Sequence, residues 1–264
     1  MPSTTLSTST TTTTLVARVP YLNSVPFFRG LPLGDGFRLI DGAPRELGAR
    51  AAAGELVAGP LPVADYFRLQ ETFERLGPFG IAVRGRARSA LLFARKPIRQ
   101  LDGAVIAVTQ ESSTTACLLR LLLEVRYQIQ PASYQRGMVP EADALLLIGD
   151  EALRVQRTNT QFPFEIDVAF EWWLWQHLPF VFAVWAVRKD ASDQVKKTLE
   201  RALSGTLGMN LKRLPELAAS VAPSLGMTPQ DVQTYLAGFI YRLSQPEEEG
   251  IARFQELVHG SHLL

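Results

Sequence analysis

The segment 178–188, Leu-Pro-Phe-Val-Phe-Ala-Val-Trp-Ala-Val-Arg, sets the tightest limit on what this chain can fold into. It is too apolar to face water. It is also too short to cross a bilayer, which takes about 20 apolar residues in a helix. It reads as a buried strand entered through a proline turn.

The rest of the chain alternates strand and helix patterns, which argues for an α/β fold. Short apolar runs at 15–19 and 37–40 read as strands, with a helical turn at 24–30 between them. An Ala/Leu/Arg-rich helix at 43–53 ends at Gly54, a C-cap signal. The segment 57–62 is buried in character but broken by two prolines, and 63–69 looks helical. Strands follow at 79–83 and 90–94, separated by the basic loop 84–88.

A second unit opens near Lys96-Pro97, with a strand at 104–108, a polar loop at 110–115 and a strong helix at 116–126. Leu118, Leu119, Leu122 and Val125 form the expected apolar face of that helix. The run 144–148 is a buried strand that turns through Gly149-Asp150-Glu151 into a short helix ending at Arg154. The C-terminal portion is helical, with Thr228-Pro229-Gln230-Asp231 as a strong helix start. No repeat at solenoid periods is present, and strand order is not legible.

With 264 residues, 47% hydrophobic and 20% charged, the composition is that of a globular protein of one large domain or two lobes. A net charge of +1 gives no broad field favouring nucleic acid or an anionic membrane. A single cysteine, Cys117, excludes an internal disulfide framework and fits a reducing compartment. The three histidines, His177, His259 and His262, form no metal-binding motif, so no metal is expected. Residues 3–14 are almost pure Ser/Thr, with neither a basic start nor the apolar run of a secretory signal. They read as a disordered tail, and the expected location is cytoplasmic.

Several polar residues sit where strands end, the usual place for ligands in α/β folds. Asn23, in Tyr21-Leu22-Asn23-Ser24, offers an amide that both donates and accepts, although Asn23 or Ser24 could equally cap the next helix. Ser112, Ser113, Thr114 and Thr115 stand before a long helix, where hydroxyls and free backbone N–H groups make an anion site. Capping by Ser113 or Thr114 is compatible with that role. Ser89 opens a strand and either faces a cleft or bonds to backbone. At Gly149-Asp150-Glu151 the simpler reading is a turn glycine, a cap and a first-turn acid, with the Gly149 backbone lining the cleft. His177 reads as structural and Cys117 as a buried small hydrophobe. The chain has no GxSxG, P-loop or GxGxxG motif, which disfavours triad hydrolysis, ATP use and hydride transfer.

Three stretches also carry a family resemblance: Val19-Pro20-Tyr21-Leu22-Asn23-Ser24, the segment 142–154 (Ala-Asp-Ala-Leu-Leu-Leu-Ile-Gly-Asp-Glu-Ala-Leu-Arg) and the segment 178–188. With Arg88-Ser89-Ala90-Leu91-Leu92-Phe93, Glu171-Trp172, Tyr241-Arg242-Leu243 and Gly250-Ile251-Ala252, the chain resembles the chorismate dehydratases of the futalosine route to menaquinone over nearly its whole length. The resemblance implies a type II periplasmic-binding-protein-like architecture, two α/β lobes with a cleft between them and C-terminal helices. It divides the chain into a tail at 1–14, one lobe from 15–95 plus 186–264, and a second from 96–185.

It implies a cofactor-independent carbon–oxygen lyase that eliminates water from chorismate to give 3-[(1-carboxyvinyl)oxy]benzoate. Asn23 is the implied catalytic residue. Tyr21, Ser24, Ser89, Ser112, Ser113, Thr114 and Gly149 are the implied substrate contacts. In the family the enolpyruvyl carboxylate of the substrate is proposed to take the ring proton, so no protein base is required. The expected partner is the small-molecule substrate, with no nucleic acid and no membrane.

One segment departs from the family. Where members commonly read Asp-Val-Ala-Leu-Val-Pro-Ser, this chain has Leu-Val-Ala-Gly-Pro-Leu-Pro-Val at 56–63, with Val63 in place of the serine and Pro60 added. A diverged paralogue acting on another carboxylated ring is thus one alternative, and a non-catalytic binding protein on the same fold is another. The dihydroxynaphthoate synthase of the same route is a third, disfavoured by Tyr21-Leu22-Asn23.

Overall fold

The computed structural model describes residues 13–263. Two sheets carry the architecture. The first contains β1 (Thr14–Arg18), β2 (Phe37–Asp41), β3 (Ala58–Pro62), β4 (Phe73–Val83), β10 (Phe180–Arg188) and β11 (Phe239–Arg242), in the order β11-β4-β10-β3-β1-β2. The second contains β5 (Ala90–Ala94), β6 (Val105–Val108), β7 (Ser133–Arg136), β8 (Ala144–Ile148) and β9 (Phe164–Asp167), in the order β7-β6-β8-β5-β9.

Helices cover both. They are α1 (Val25–Phe28), α2 (Pro44–Ala52), α3 (Val63–Leu69), α4 (Thr114–Arg120), α5 (Gly149–Thr158), α6 (Val168–Gln176), α7 (Asp193–Lys212), α8 (Leu214–Leu225), α9 (Pro229–Ala237) and α10 (Gln245–Gly260).

The chain leaves the first sheet after β4, builds the second from β5 to β9, and returns through α6 into β10. Strand β10 lies antiparallel between β3 and β4, and every residue it contributes is buried or half-buried. That is the position a two-sided apolar strand requires. The boundaries differ from the expected division. Strand β5, expected in the first lobe, pairs with β8 and β9 of the second sheet. The first half of β10, expected in the second lobe, pairs with β4. Thr14, expected in the tail, opens β1 opposite Phe37; the rest of the tail to residue 12 lies outside the described residues.

The segment with two prolines is strand β3, wholly buried. It runs so close to β1 that a Cβ on Gly59 would stand 2.4 Å from Cβ of Ala17. The helix at 116–126 begins two residues earlier as α4 and widens into a π-helical turn at Leu121–Arg126. Leu118, Leu119 and Leu122 are fully buried, but Val125 is 36% exposed, because the wider turn rotates it off the apolar face. Helix α5 continues past Arg154 to Thr158.

Thr228 caps α9 as expected, accepting from the Asp231 N–H at 3.1 Å. Asp231 accepts in turn from the Thr228 hydroxyl at 2.7 Å. One apolar cluster spans both lobes, and each lobe has a smaller one of its own. Trp172 of α6 sits edge-on to Phe180 of β10 and Phe254 of α10, with centroids 5.5 and 5.9 Å away. Among the described residues no helix is long and apolar enough to cross a membrane.

Candidate functional site

A cleft of about 60 Å³ lies between the two sheets. The first lobe supplies Val19, Tyr21 and Asn23 after β1, Pro44, Pro60 and Pro62, Ile81 of β4, Phe182 and Ala183 of β10, and Phe239. The second supplies Ser89 and Ala90 at the start of β5, Ser112, Thr114 and Thr115 around the start of α4, and Ile148 and Gly149 at the end of β8. None of these lining residues carries a charge. The walls are apolar, with a few convergent polar groups, as small-molecule sites are.

Asn23 carries the most pointed of those groups. Its Oδ1 is buried and has no hydrogen-bond partner among the described residues. Such an atom costs free energy unless something in the cleft donates to it. Neither Asn23 nor Ser24 serves as a side-chain cap for the short helix α1.

The hydroxyls are arranged as donors. Ser112 Oγ accepts the N–H of Thr115 at 3.0 Å, and Thr114 Oγ1 accepts the N–H of Ala64 at 3.1 Å. With an oxygen lone pair already engaged, each hydroxyl keeps its proton free to donate. Ser89 Oγ lies 2.7 Å from the Tyr235 hydroxyl. These hydroxyl donors, beside the positive end of α4, suit a carboxylate.

Two expected contacts are absent from the lining. Ser24 is buried and gives its hydroxyl to the carbonyls of Val19 and Tyr21, at 2.8 Å for the latter. It therefore stiffens the loop after β1 rather than reaching the cleft. Ser113 donates to Asp65 Oδ2 at 2.7 Å, across the contact between α3 and α4. The side chain that caps α4 is Ser112, one residue earlier than expected. Tyr21, Asn23, Ser89, Ser112, Thr114 and Gly149 all line the cleft, and Thr115, Pro60, Pro62, Phe182 and Phe239 join them. Of these, Phe239 lies outside every motif; Thr115 stands in the polar loop, Pro60 and Pro62 in the segment that departs from the family, and Phe182 in the apolar strand segment.

Several contacts tie the lobes together at the cleft. The Tyr21 hydroxyl donates to Glu111 Oε2, and burial with this carboxylate pushes the phenol upward in pKa. Asp150 accepts the Leu22 N–H at 2.9 Å, so it bridges lobes instead of capping α5. Burial raises its pKa, partly offset by that N–H. The Arg45 N–H reaches the Glu111 carbonyl at 2.9 Å.

The remaining reactive side chains have structural roles. Glu171 pairs with Arg126 at 2.7 Å and accepts from Tyr127. Arg86 stacks on Phe170, its guanidinium carbon 4.1 Å from the ring centroid. His177 closes α6 in the left-handed region at φ 56°. Cys117 is buried, which pushes its thiol up and leaves it inert. Among the described residues no group of three or more His, Cys, Asp or Glu is placed to hold a metal ion.

A family model described as menaquinone biosynthesis matches residues 14–259. The chorismate dehydratase of Thermus thermophilus is 36% identical over 234 residues, covering 81% of this chain and 83% of that protein. Among solved structures, a protein of Archaeoglobus fulgidus aligns with a TM-score of 0.77 at 17% identity, over 95% of this chain and 98% of that one. The periplasmic aliphatic sulphonate binding protein of Escherichia coli aligns with a TM-score of 0.63 at 10% identity, over 96% and 88%. A Candida albicans gene product described as having the generic periplasmic binding protein fold gives 0.69 at 12%, over 96% and 90%. At these identities the solved structures are alike in fold alone.

Proposed function

This chain belongs to the menaquinone biosynthesis family, and from that premise we propose that it eliminates water from chorismate to give 3-[(1-carboxyvinyl)oxy]benzoate. It does so without a cofactor, at the head of the futalosine route and in the cytoplasm.

The observation that carries the reading is the match between polar groups. With both carboxylates ionised, chorismate has a single O–H donor, the ring hydroxyl that leaves. Among the described residues, the cleft has a single buried side-chain acceptor with no partner, Asn23 Oδ1. Pairing the two directs the leaving hydroxyl, and the same amide's N–H₂ is a donor for the oxygen as it takes on charge. Ser89, Ser112 and Thr114 donate to the carboxylates. The uncharged walls strengthen each of these bonds.

The reaction then balances within the substrate. The enolpyruvyl carboxylate takes the ring proton, the C–H electron pair forms the new ring double bond, and the C–O bond breaks. The departing oxygen takes that proton from the enolpyruvyl carboxylic acid, which returns to its carboxylate, and leaves as water. Aromaticity drives the step, so the protein's task is to hold one reactive conformation. Positioning of this kind is worth up to about 7–11 kcal/mol of the barrier. Contacts such as Tyr21 with Glu111 and Leu22 with Asp150 close the cleft over the substrate.

The test is to mix purified protein with chorismate, without added metal or cofactor, and follow products by liquid chromatography and mass spectrometry. Protein-dependent loss of one water, matching the carboxyvinyloxy-benzoate standard, is the expected result. Unchanged chorismate with folded protein would leave a carboxylate-binding protein or a diverged paralogue.

A further inference from the structure

We infer that Tyr235, a residue of α9 outside the cleft lining, is the positioning residue that turns the Ser89 hydroxyl into the cleft as a carboxylate donor. The inference rests on the proposed function and deepens it.

The argument is one of proton direction. Tyr235 is 3% exposed, and its hydroxyl lies 2.7 Å from Ser89 Oγ. Among the described residues this is the only hydrogen bond its hydroxyl makes. A buried phenol is stabilised by placing its proton on an acceptor, and Ser89 Oγ is the acceptor within reach. Were Ser89 the donor, the Tyr235 proton would be buried with no acceptor, a costly arrangement. Burial also keeps the phenol protonated.

Ser89 therefore accepts from Tyr235 and keeps one proton for the cleft it lines. This is the same arrangement as at Ser112 and Thr114, whose oxygens are engaged by backbone N–H groups. At Ser89, the residue before β5, the carbonyl is taken by Gly149 N–H at 2.8 Å, and a distant helix supplies the hydroxyl's partner.

Two measurements on Tyr235→Phe, Ser89→Ala and the double variant test this. In kinetics with chorismate, Y235F raises KM about 5–10-fold, the size of one hydrogen bond, with kcat within twofold. In the S89A background Y235F has no further effect on KM. An unchanged or lowered KM in Y235F, or the same factor persisting without Ser89, overturns the inference.

In thermal melting, S89A loses stability because the phenol proton is stranded, and adding Y235F restores part of the loss. Additive losses overturn the pairing, and this cycle needs no turnover. Wild-type protein that leaves chorismate intact would remove the proposed activity, while the melting cycle still decides the hydroxyl pair.

Discussion

The Tyr21 ring, from the first lobe, lies against Gly149, from the second, so closely that a Cβ at position 149 would stand 2.8 Å from the ring. Gly149 also sits at φ 59°, where an L side chain costs about 1–2 kcal/mol. Gly149→Ala thus loses on two counts. The expected outcome is a stability loss of at least about 1–2 kcal/mol, with a larger proportional loss of kcat/KM because the lobes no longer meet. Urea melts and steady-state kinetics on one preparation separate the two. Full activity would mean that the lobes do not close on this contact.

Asn23→Ala removes the unpartnered acceptor while leaving the fold's own hydrogen bonds intact. Its kcat falls about 10²-fold or more, the scale for a group that meets developing charge, and its melting temperature holds. A folded N23A protein with wild-type turnover would sink the assignment of the leaving hydroxyl to this amide.

Stability near Asp150 falls as pH rises. Its folded-state pKa is raised by burial, so between the unfolded value, about 3.9, and the raised one the folded state holds more protons. Stability contributed by the neutral acid is therefore complete below the unfolded value and lost as pH passes the folded one. Asp150→Asn keeps an oxygen for the Leu22 N–H without the charge. The variant and wild type melt together at about pH 3.5, below the aspartate value, and the variant is the more stable at neutral pH. A gap that is constant across the range would contradict this.

The family departure at 56–63 separates into two effects. Val63 is fully buried and does not line the cleft. Val63→Ser therefore costs stability, about 1–3 kcal/mol for an unpaired hydroxyl, with substrate preference unchanged. Pro60 does line the cleft, and Pro60→Ala shifts KM. Competition between chorismate and related cyclic carboxylates reads both.

What was legible beforehand follows from how local the signal is. Strands β5, β8 and β10 are apolar on both faces, and only a sheet covered on both sides accommodates that, so they were readable as runs. Strands β7, β9 and β11 are four residues each and mix polar with apolar positions, so they carry no period to detect. Asn23 stood out because its place after a strand is set by a few neighbours. Ser24 and Ser113 did not sort from Ser89 and Ser112, because which hydroxyl meets the cleft depends on the Val19 carbonyl and on Asp65, the latter contributed by another helix. Tyr235 lies 146 positions from Ser89, and no spacing rule joins them.

Strand β10 contributes Phe182 and Ala183 to the cleft while its remaining length is knitted between β3 and β4. The floor of the site is thus a central stave of the molecule and not an editable loop. A residue enlarged or trimmed there disturbs both neighbouring strands at once, so variation in what the cleft accepts is confined to its rims.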